Sequence, residues 1–426
     1  MSKSTKFAAL PTNPDVIVIG AGSAGMGAAR RLIKGGKSVI VIEAANRIGG
    51  RAWTQSDSFG VPVDMGASWV SSANKNPFTK IARKAGFHLV EHTHAETDLF
   101  RLDGSRADAR DHKEYQENFR AMQKSMNKAG KKGHDVPASE VTPNDLPWMG
   151  AIQSWLGPMD YGVDFDQIST LDDWHGESDQ PSYFVREGLG AVVATRAEGL
   201  PIKLNTTVTH IDWSGDGVRI ETNNGTLSAK ACVITVSTGV LAAGNIRFTP
   251  ELPAAKMEAV HNLPMGLLVK VPMMFDGARL GLGENNWVTY QVPNEIPAKA
   301  CYFIAWPCGH DYLFGNIGGR LGWDLSREKS DVTVDFAMEE LVKLVGSDAR
   351  KHLIKGFRTD WANDQNTLGA YAAVKPGHHG VRKTLEAPLA DRLFFAGEAM
   401  GGAYPALVSG AYLSGKRTAR KVCKVI

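Results

Sequence analysis

The stretch DVIVIGAGSAGMGAARRLIKGGKSVIVIEAANRIGGRAW, Asp15 to Trp53, decides the fold. Val16 to Ile19 is a β-branched run that reads as a buried strand, and Gly20, Gly22 and Gly25 then supply G-x-G-x-x-G. A helix pattern from Ala24 to about Ile33 follows. Gly35-Gly36 closes it, and a second buried strand, Val39 to Ile42, ends at Glu43. Strand, helix, strand and terminal acid in this order make a β-α-β unit for a dinucleotide, where the glycines alone would be weak evidence. Gly20 permits the tight turn, Gly22 lets the backbone approach a pyrophosphate, and Gly25 lets helix and strand pack closely. Ser23 and Ala24 open the helix, whose unpaired amides and positive dipole end favour an anion. Glu43, followed by Ala44, falls where a carboxylate accepts both ribose hydroxyls, which disfavours a phosphorylated ribose.

Outward from this unit, 426 residues suffice for two domains, or for one large domain carrying an inserted lobe. Apolar content of 43% and charged content of 22% are ordinary for a globular chain. A formal charge of +3 gives no reason to expect nucleic acid, and the lysines between Lys124 and Lys132 read as a solvated helix end. Cys232, Cys301, Cys308 and Cys423 form no C-x-x-C, which suggests reduced thiols and a cytoplasmic setting. The N-terminal residues lack the apolar core of a signal peptide, and no run nears the ~20 apolar residues of a membrane span. A homo-oligomer is compatible with the sequence, which leaves that state open. The histidines of HLVEHTH, His92 and His94, have no further ligand cluster at a closed spacing, so no metal site is expected.

Nucleotide-type segments recur along the chain. LNTTVTHIDWSGDGVRIETNNGTLSAKACVITVSTGVL, from Leu204, has alternating strands with SGDG and NNGT turns and a buried run from Ala231 to Val236. DRLFFAGEAMGGAYPALVSGAYLSGKRTARKVC, from Asp391, reads as a buried strand, a glycine-rich turn and a terminal helix. Between them lie a polar helical stretch from about Asp111 to Ala129, a strand pair through ACYFIAWPCG and DYLFGNIGG, and a helix from about Asp331 to Val345. The expected class is α/β. A Rossmann-like nucleotide domain is assembled from 1–85, 186–263 and 384–426, with an inserted α+β domain for substrate from 86–185 and 264–383.

Beyond the β-α-β unit, NRIGGRAW, DMGASWV, VITVSTGVL, DWANDQNTLGAY and FFAGEAMGGAYPALV occur in that order, and together they resemble the flavin-containing amine oxidase family over nearly the whole chain. That family includes monoamine and polyamine oxidases and lysine-specific histone demethylases. The resemblance implies noncovalent FAD. It places Arg47, Gly49, Gly50 and Arg51 against the diphosphate, where small residues admit the backbone and guanidinium groups neutralise phosphate. Gly66, Ala67, Ser68 and Trp69 would pass the flavin ring, Val208 would meet adenine through its backbone, and Gly397 and Glu398 would hold the ribityl chain and pyrophosphate. The terminal helix, starting near Ala406 and Leu407, would offer its amide end to the cofactor.

The same resemblance makes Lys270, in MGLLVKVPMMFD, the lysine that reaches the reactive flavin nitrogen through a water. A lysine within so apolar a run is costly without partners, although it could snorkel to solvent from a strand end. Tyr371 would be one wall of an aromatic cage, with Trp361 beside the flavin. The opposing wall is open: Leu407 stands where monoamine oxidases carry a second tyrosine, and Tyr404 or Trp69 could contribute obliquely, or Tyr404 could be simple packing.

Three departures narrow the substrate. Ala370 replaces the cysteine that binds flavin covalently in monoamine oxidases. Ser71 replaces a histidine of eukaryotic polyamine oxidases, and Trp69 replaces the carboxylate-binding arginine of L-amino-acid oxidases. A primary or secondary monoamine or a short diamine is expected, with molecular oxygen as acceptor and hydrogen peroxide as product. Two alternatives share the fold: a flavin dehydrogenase or desaturase that uses another electron carrier, and a non-catalytic FAD-binding protein.

Overall fold

The computed structural model describes residues 6–93, 96–177 and 180–426. Its organising element is a five-stranded parallel sheet in the order Leu393–Phe395, Ala231–Ile234, Val16–Ile19, Val39–Ile42, Ile202–Lys203. The central three strands are in register, Val16 opposite both Val39 and Ala231. Side chains alternate across a strand, so VIVI written twice sorts itself: Val16, Val18, Val39 and Val41 enter one apolar cluster, and Ile17, Ile19, Ile40 and Ile42 enter another. Both faces are therefore covered, as a parallel sheet requires.

The helix Ser23–Lys34 packs on the valine face against the terminal helix Val408–Val425. Their contact is backbone to backbone. A Cβ on Gly27 would stand 2.5 Å from the Tyr412 carbonyl oxygen, and one on Gly415 would stand 2.0 Å from that of Ala24. The terminal helix starts at Val408 rather than near Ala406, because Ala406 has φ 61° and the chain is still turning there. Four strands, Gly225–Ala229, Val218–Thr222, Val208–Asp212 and Arg247–Thr249, form a smaller sheet beyond the isoleucine face.

The second large sheet has six strands, in the order Leu353–Gly356, Leu268–Phe275, Tyr312–Gly318, Tyr302–Ile304, Trp287–Tyr290, Thr97–Phe100. Its long central pair is antiparallel and sets Lys270 opposite Asn316. Helix Ala109–Lys131, capped by Asp108 and Asp111, flanks this region with the π-type turn Trp155–Met159 and the helix Thr170–His175. None of the four cysteines is paired. No described helix is long and apolar enough to cross a membrane.

The helix–helix contact gives a stability test. Gly415→Ala forces a methyl into the Ala24 carbonyl and should cost about 1–3 kcal/mol, the usual range for overpacking. Chemical denaturation should show a lower midpoint with an unchanged slope; a midpoint equal to wild type would mean the helices do not meet there.

Candidate active site

A cavity of about 1010 Å³ opens at the carboxyl ends of the parallel strands, where Ile19, Ile42, Thr235 and Gly397 all reach its wall. Open α/β sheets bind ligands at this edge. Of the residues singled out from the sequence, Gly20, Gly22, Ser23, Ala24, Glu43, Ala44, Arg47, Gly49, Gly50, Arg51, Gly66, Ala67, Ser68, Trp69, Val208, Lys270, Trp361, Tyr371, Gly397, Glu398, Ala406 and Leu407 line it. Gly25 stands one layer back. A Cβ there would be 1.9 Å from the Gly20 carbonyl oxygen, so it serves the closeness of turn and helix rather than the wall.

At the nucleotide end, Gly49 N–H donates to the Ala21 carbonyl at 2.9 Å, and Gly22 and Gly49 form a parallel bridge. The two glycine turns thus lie against each other. Gly49 and Gly50 have φ of 97° and 58°, which favours glycine. No side chain caps the helix at Gly22, and a Cβ on Gly22 would meet nothing within 4 Å, so the backbone itself faces the cavity. Glu43 accepts from Ala21 N–H at 2.6 Å and Ala45 N–H at 2.9 Å. Burial raises its carboxyl above the ordinary value against those two bonds. Arg47 donates to the Gly50 carbonyl at 2.7 Å and lies over Trp53 at 4.2 Å. Burial lowers its pKa, countered by Asp364 and Glu43. Thr206, Asn245 and Ile246 join Val208 on this wall, and nothing in their spacing announced them.

In the middle of the cavity Arg51 bridges three distant segments. It donates to the Glu398 carboxylate at 2.8 Å and to the Ala370 carbonyl at 2.9 Å, and Glu398 also accepts from Ala372 N–H at 3.2 Å. Trp361 is buried and donates its indole N–H to the Met65 carbonyl at 2.8 Å.

Lys270 projects from the six-stranded sheet at the far end. Nζ donates to Ser68 Oγ and, at 3.4 Å, to the Asp64 carbonyl, and it stands 4.7 Å from the Phe314 ring and 5.5 Å from that of Trp69. It does not snorkel. Burial lowers its pKa to about 8, against the pull of the Asp64 carboxylate. Asp64 is itself raised by burial, and Thr54 Oγ1 and the amides of Leu189 and Gly190 hold it in place. Opposite Lys270 is Asn316, fully buried and on the cavity wall, whose Oδ1 accepts no hydrogen bond among the described residues.

The aromatic walls differ from expectation. Tyr371 lines the cavity and donates its hydroxyl to the Met159 carbonyl at 3.0 Å. Trp69 stacks on Trp287 with centroids 5.5 Å apart, and Trp155 meets Trp287 edge-on at 4.4 Å; all three line the cavity. His92 fixes this group. Its Nε2–H donates to the Asn285 carbonyl at 2.8 Å, so Nδ1 accepts from the Trp69 indole at 3.2 Å. Burial lowers its pKa to about 4, so it stays neutral. Its pairing partner in the sequence motif, His94, lies outside the described residues. Tyr404 is not on the cavity wall. Its hydroxyl donates to Glu177 at 3.1 Å. Trp155 and Trp287, which stand in no motif, line the cavity instead.

The uncapped helix end, the backbone cradle at Gly22 and Gly49, the buried carboxylate at Glu43 and the cationic Arg47 and Arg51 fit the phosphates and ribose of a flavin dinucleotide. The flavin-containing amine oxidoreductase model matches residues 23–163 and 166–423. The chain belongs to that family. It is an FAD-dependent oxidoreductase acting on amines. It is 31% identical to polyamine oxidase 4 of Oryza sativa subsp. japonica, over 94% of this chain and 87% of that protein. Its identity to human lysine-specific histone demethylase 2 is 29%, over 96% of this chain and 53% of that longer protein. A solved structure of wild-type putrescine oxidase bound to putrescine shares the fold, with a TM-score of 0.78 at 19% identity over 96% of this chain and 99% of that one.

Gly22→Val places a branched side chain where the backbone faces the cavity and an added Cβ meets nothing within 4 Å. The variant is expected to keep wild-type circular dichroism and emerge from gel filtration without FAD; full flavin content would contradict the assignment of this turn. Arg51→Ala leaves the Glu398 carboxylate without its ion pair and should loosen FAD by about tenfold or more, read as flavin lost on dilution.

Proposed function

We propose that the protein oxidises a neutral primary or secondary amine. The α-carbon gives up a hydride and the nitrogen a proton, the imine is hydrolysed to a carbonyl compound and an amine or ammonia, and O₂ is reduced to H₂O₂. Bound FAD would supply the electron acceptor for this chemistry. What the chain supplies is position. The stacked Trp69–Trp287 pair, Trp155 and Tyr371 give the cavity apolar, electron-rich walls that hold an amine and its alkyl stem while limiting water.

The observation that carries this reading is Lys270. A lysine amine held by Ser68 and the Asp64 carbonyl, at a cavity wall and with its proton affinity lowered, is suited to hold a water and exchange a proton with it near neutral pH. Below pH 8 the group is largely an ammonium that donates; above pH 8 it becomes an amine that can also accept.

FAD is held without a covalent bond on this reading, since Ala370 offers no nucleophile and its carbonyl is engaged by Arg51. The same reading assigns 1–85, 186–263 and 384–426 to the FAD domain and 86–185 with 264–383 to the substrate domain. The distribution of strands between the parallel and the six-stranded sheets supports it.

Primary and secondary amines assayed for peroxide release should give turnover with at least one class. Peroxide from none of them, with flavin reduction intact, would favour a dehydrogenase. Lys270→Met should retain FAD and lose roughly 10²–10⁴-fold in the rate of flavin reduction. The wild-type rate should inflect near pH 8, and the inflection should vanish in the variant; an unchanged profile would remove Lys270 from the mechanism.

A further inference from the structure

Seven buried side-chain polar atoms among the described residues have no hydrogen-bond partner, and Asn316 Oδ1 is the one that belongs to the active-site wall. Buried polar groups are nearly always paired, so this exception needs a reason. Asn316 lies within the strand Tyr312–Gly318, fully buried and directly opposite Lys270 in the antiparallel pair. Residues opposed in this way project to the same face of a sheet, so the Asn316 side chain leaves on the side from which Lys270 reaches Ser68. On its other flank Asn316 is paired with Tyr302 and donates Nδ2–H to the Tyr302 carbonyl at 3.4 Å, which leaves Oδ1 as the free end of the amide. The neighbouring donors are spent elsewhere. Lys270 bonds Ser68 and the Asp64 carbonyl, the Trp155 indole bonds Thr289 at 3.2 Å, and the Tyr302 hydroxyl bonds the carbonyls of Ala151 and Tyr290.

An unpaired buried acceptor is costly, and the cost is removed when a donor arrives from the cavity. The N–H of an amine is such a donor, and it strengthens during the reaction. As the α C–H bond breaks, its electron pair leaves with the hydrogen as hydride, and the nitrogen lone pair becomes the C=N π bond. The nitrogen then carries positive charge, so its remaining N–H donates more strongly than in the starting amine. A fixed amide dipole on that N–H therefore stabilises the transition state more than the ground state. The same bond holds the nitrogen in one orientation, which fixes its lone pair relative to the C–H that breaks.

We propose that Asn316 is a specificity-determining residue that accepts a hydrogen bond from the reacting N–H, so that the enzyme selects primary and secondary amines over tertiary ones. This rests on the amine-oxidation reading and deepens it. A neutral tertiary amine has no N–H, and its additional alkyl group leaves the amide oxygen unpaired. The uncharged amide suits the position, because a carboxylate opposite Lys270 would pair with the lysine instead of the substrate.

The test uses the holoenzyme with n-hexylamine, N-methylhexylamine and N,N-dimethylhexylamine, and with benzylamine and its N-methyl and N,N-dimethyl forms. Anaerobic flavin reduction in wild type should favour the amines that carry an N–H over the tertiary amine. Asn316→Leu, close to asparagine in shape, should slow the N–H amines by about 10–100-fold, the range for losing a hydrogen bond to a charged group, and leave the tertiary amine within about threefold. Its FAD content should match wild type, and its Tm without amine should equal or exceed wild type, because leucine removes an unpaired buried acceptor. Asn316→Ala carries the same comparison if the leucine variant does not fold. A wild type without this selectivity, a selectivity that both variants leave within about twofold, or an equal loss for all three amines would overturn the proposal. Thermal shift on adding amine separates this site from the reaction. Stabilisation that requires both an N–H and Asn316, in a protein whose flavin no amine reduces, would preserve the site and overturn the proposed oxidation.

Discussion

The structure depends on the contact of two glycine turns. Gly22 and Gly49 bridge as neighbouring strands do, and the amide of Gly49 reaches the carbonyl of Ala21. Gly49 holds its place at φ 97°, where a Cβ would stand 2.4 Å from the Ala52 carbonyl oxygen, so the second turn keeps its shape only with glycine. Their contact fixes Arg47 and Arg51 beside the uncapped helix end, so an anion meets backbone dipoles on one side and guanidinium groups on the other. From Arg51 the constraint extends to Glu398 and the Ala370 carbonyl, which brings the C-terminal segment and the Trp361–Tyr371 loop to the same cavity. One side chain therefore ties its own turn to two segments that lie 319 and 347 positions further along the chain.

The reacting end obeys a different rule. The nucleotide end is built from backbone and small residues, whereas the substrate end is built from large rings and a few buried polar groups. The long antiparallel pair supplies Lys270 and Asn316 from adjacent strands, and His92 locks Trp69 through a neutral imidazole.

How much of this was legible follows from where each residue comes from. The β-α-β unit and Glu43 are local: glycine spacing and the two VIVI runs specify them without reference to the remainder of the chain, whereas the arginine turn was assigned through the family resemblance. Lys270 was visible chiefly through the family resemblance, supported by the oddity of a lysine inside an apolar strand. Trp155, Trp287 and Asn316 gave no comparable signal, since they reach the cavity through strand pairing and a π-turn that no short pattern encodes. Tyr404, left open between a cage wall and simple packing, is absent from the cavity lining, and its hydroxyl bonds Glu177.

The most direct test of the central account is an anaerobic titration of the purified holoenzyme with amines, followed by visible absorbance. If FAD lies across the glycine turns with its reactive edge in the aromatic cavity, the yellow oxidised spectrum should bleach fully on adding a substrate amine, and colour should return on admitting air. A protein that takes up no FAD, or a bound flavin that stays oxidised with every amine tried, would contradict it.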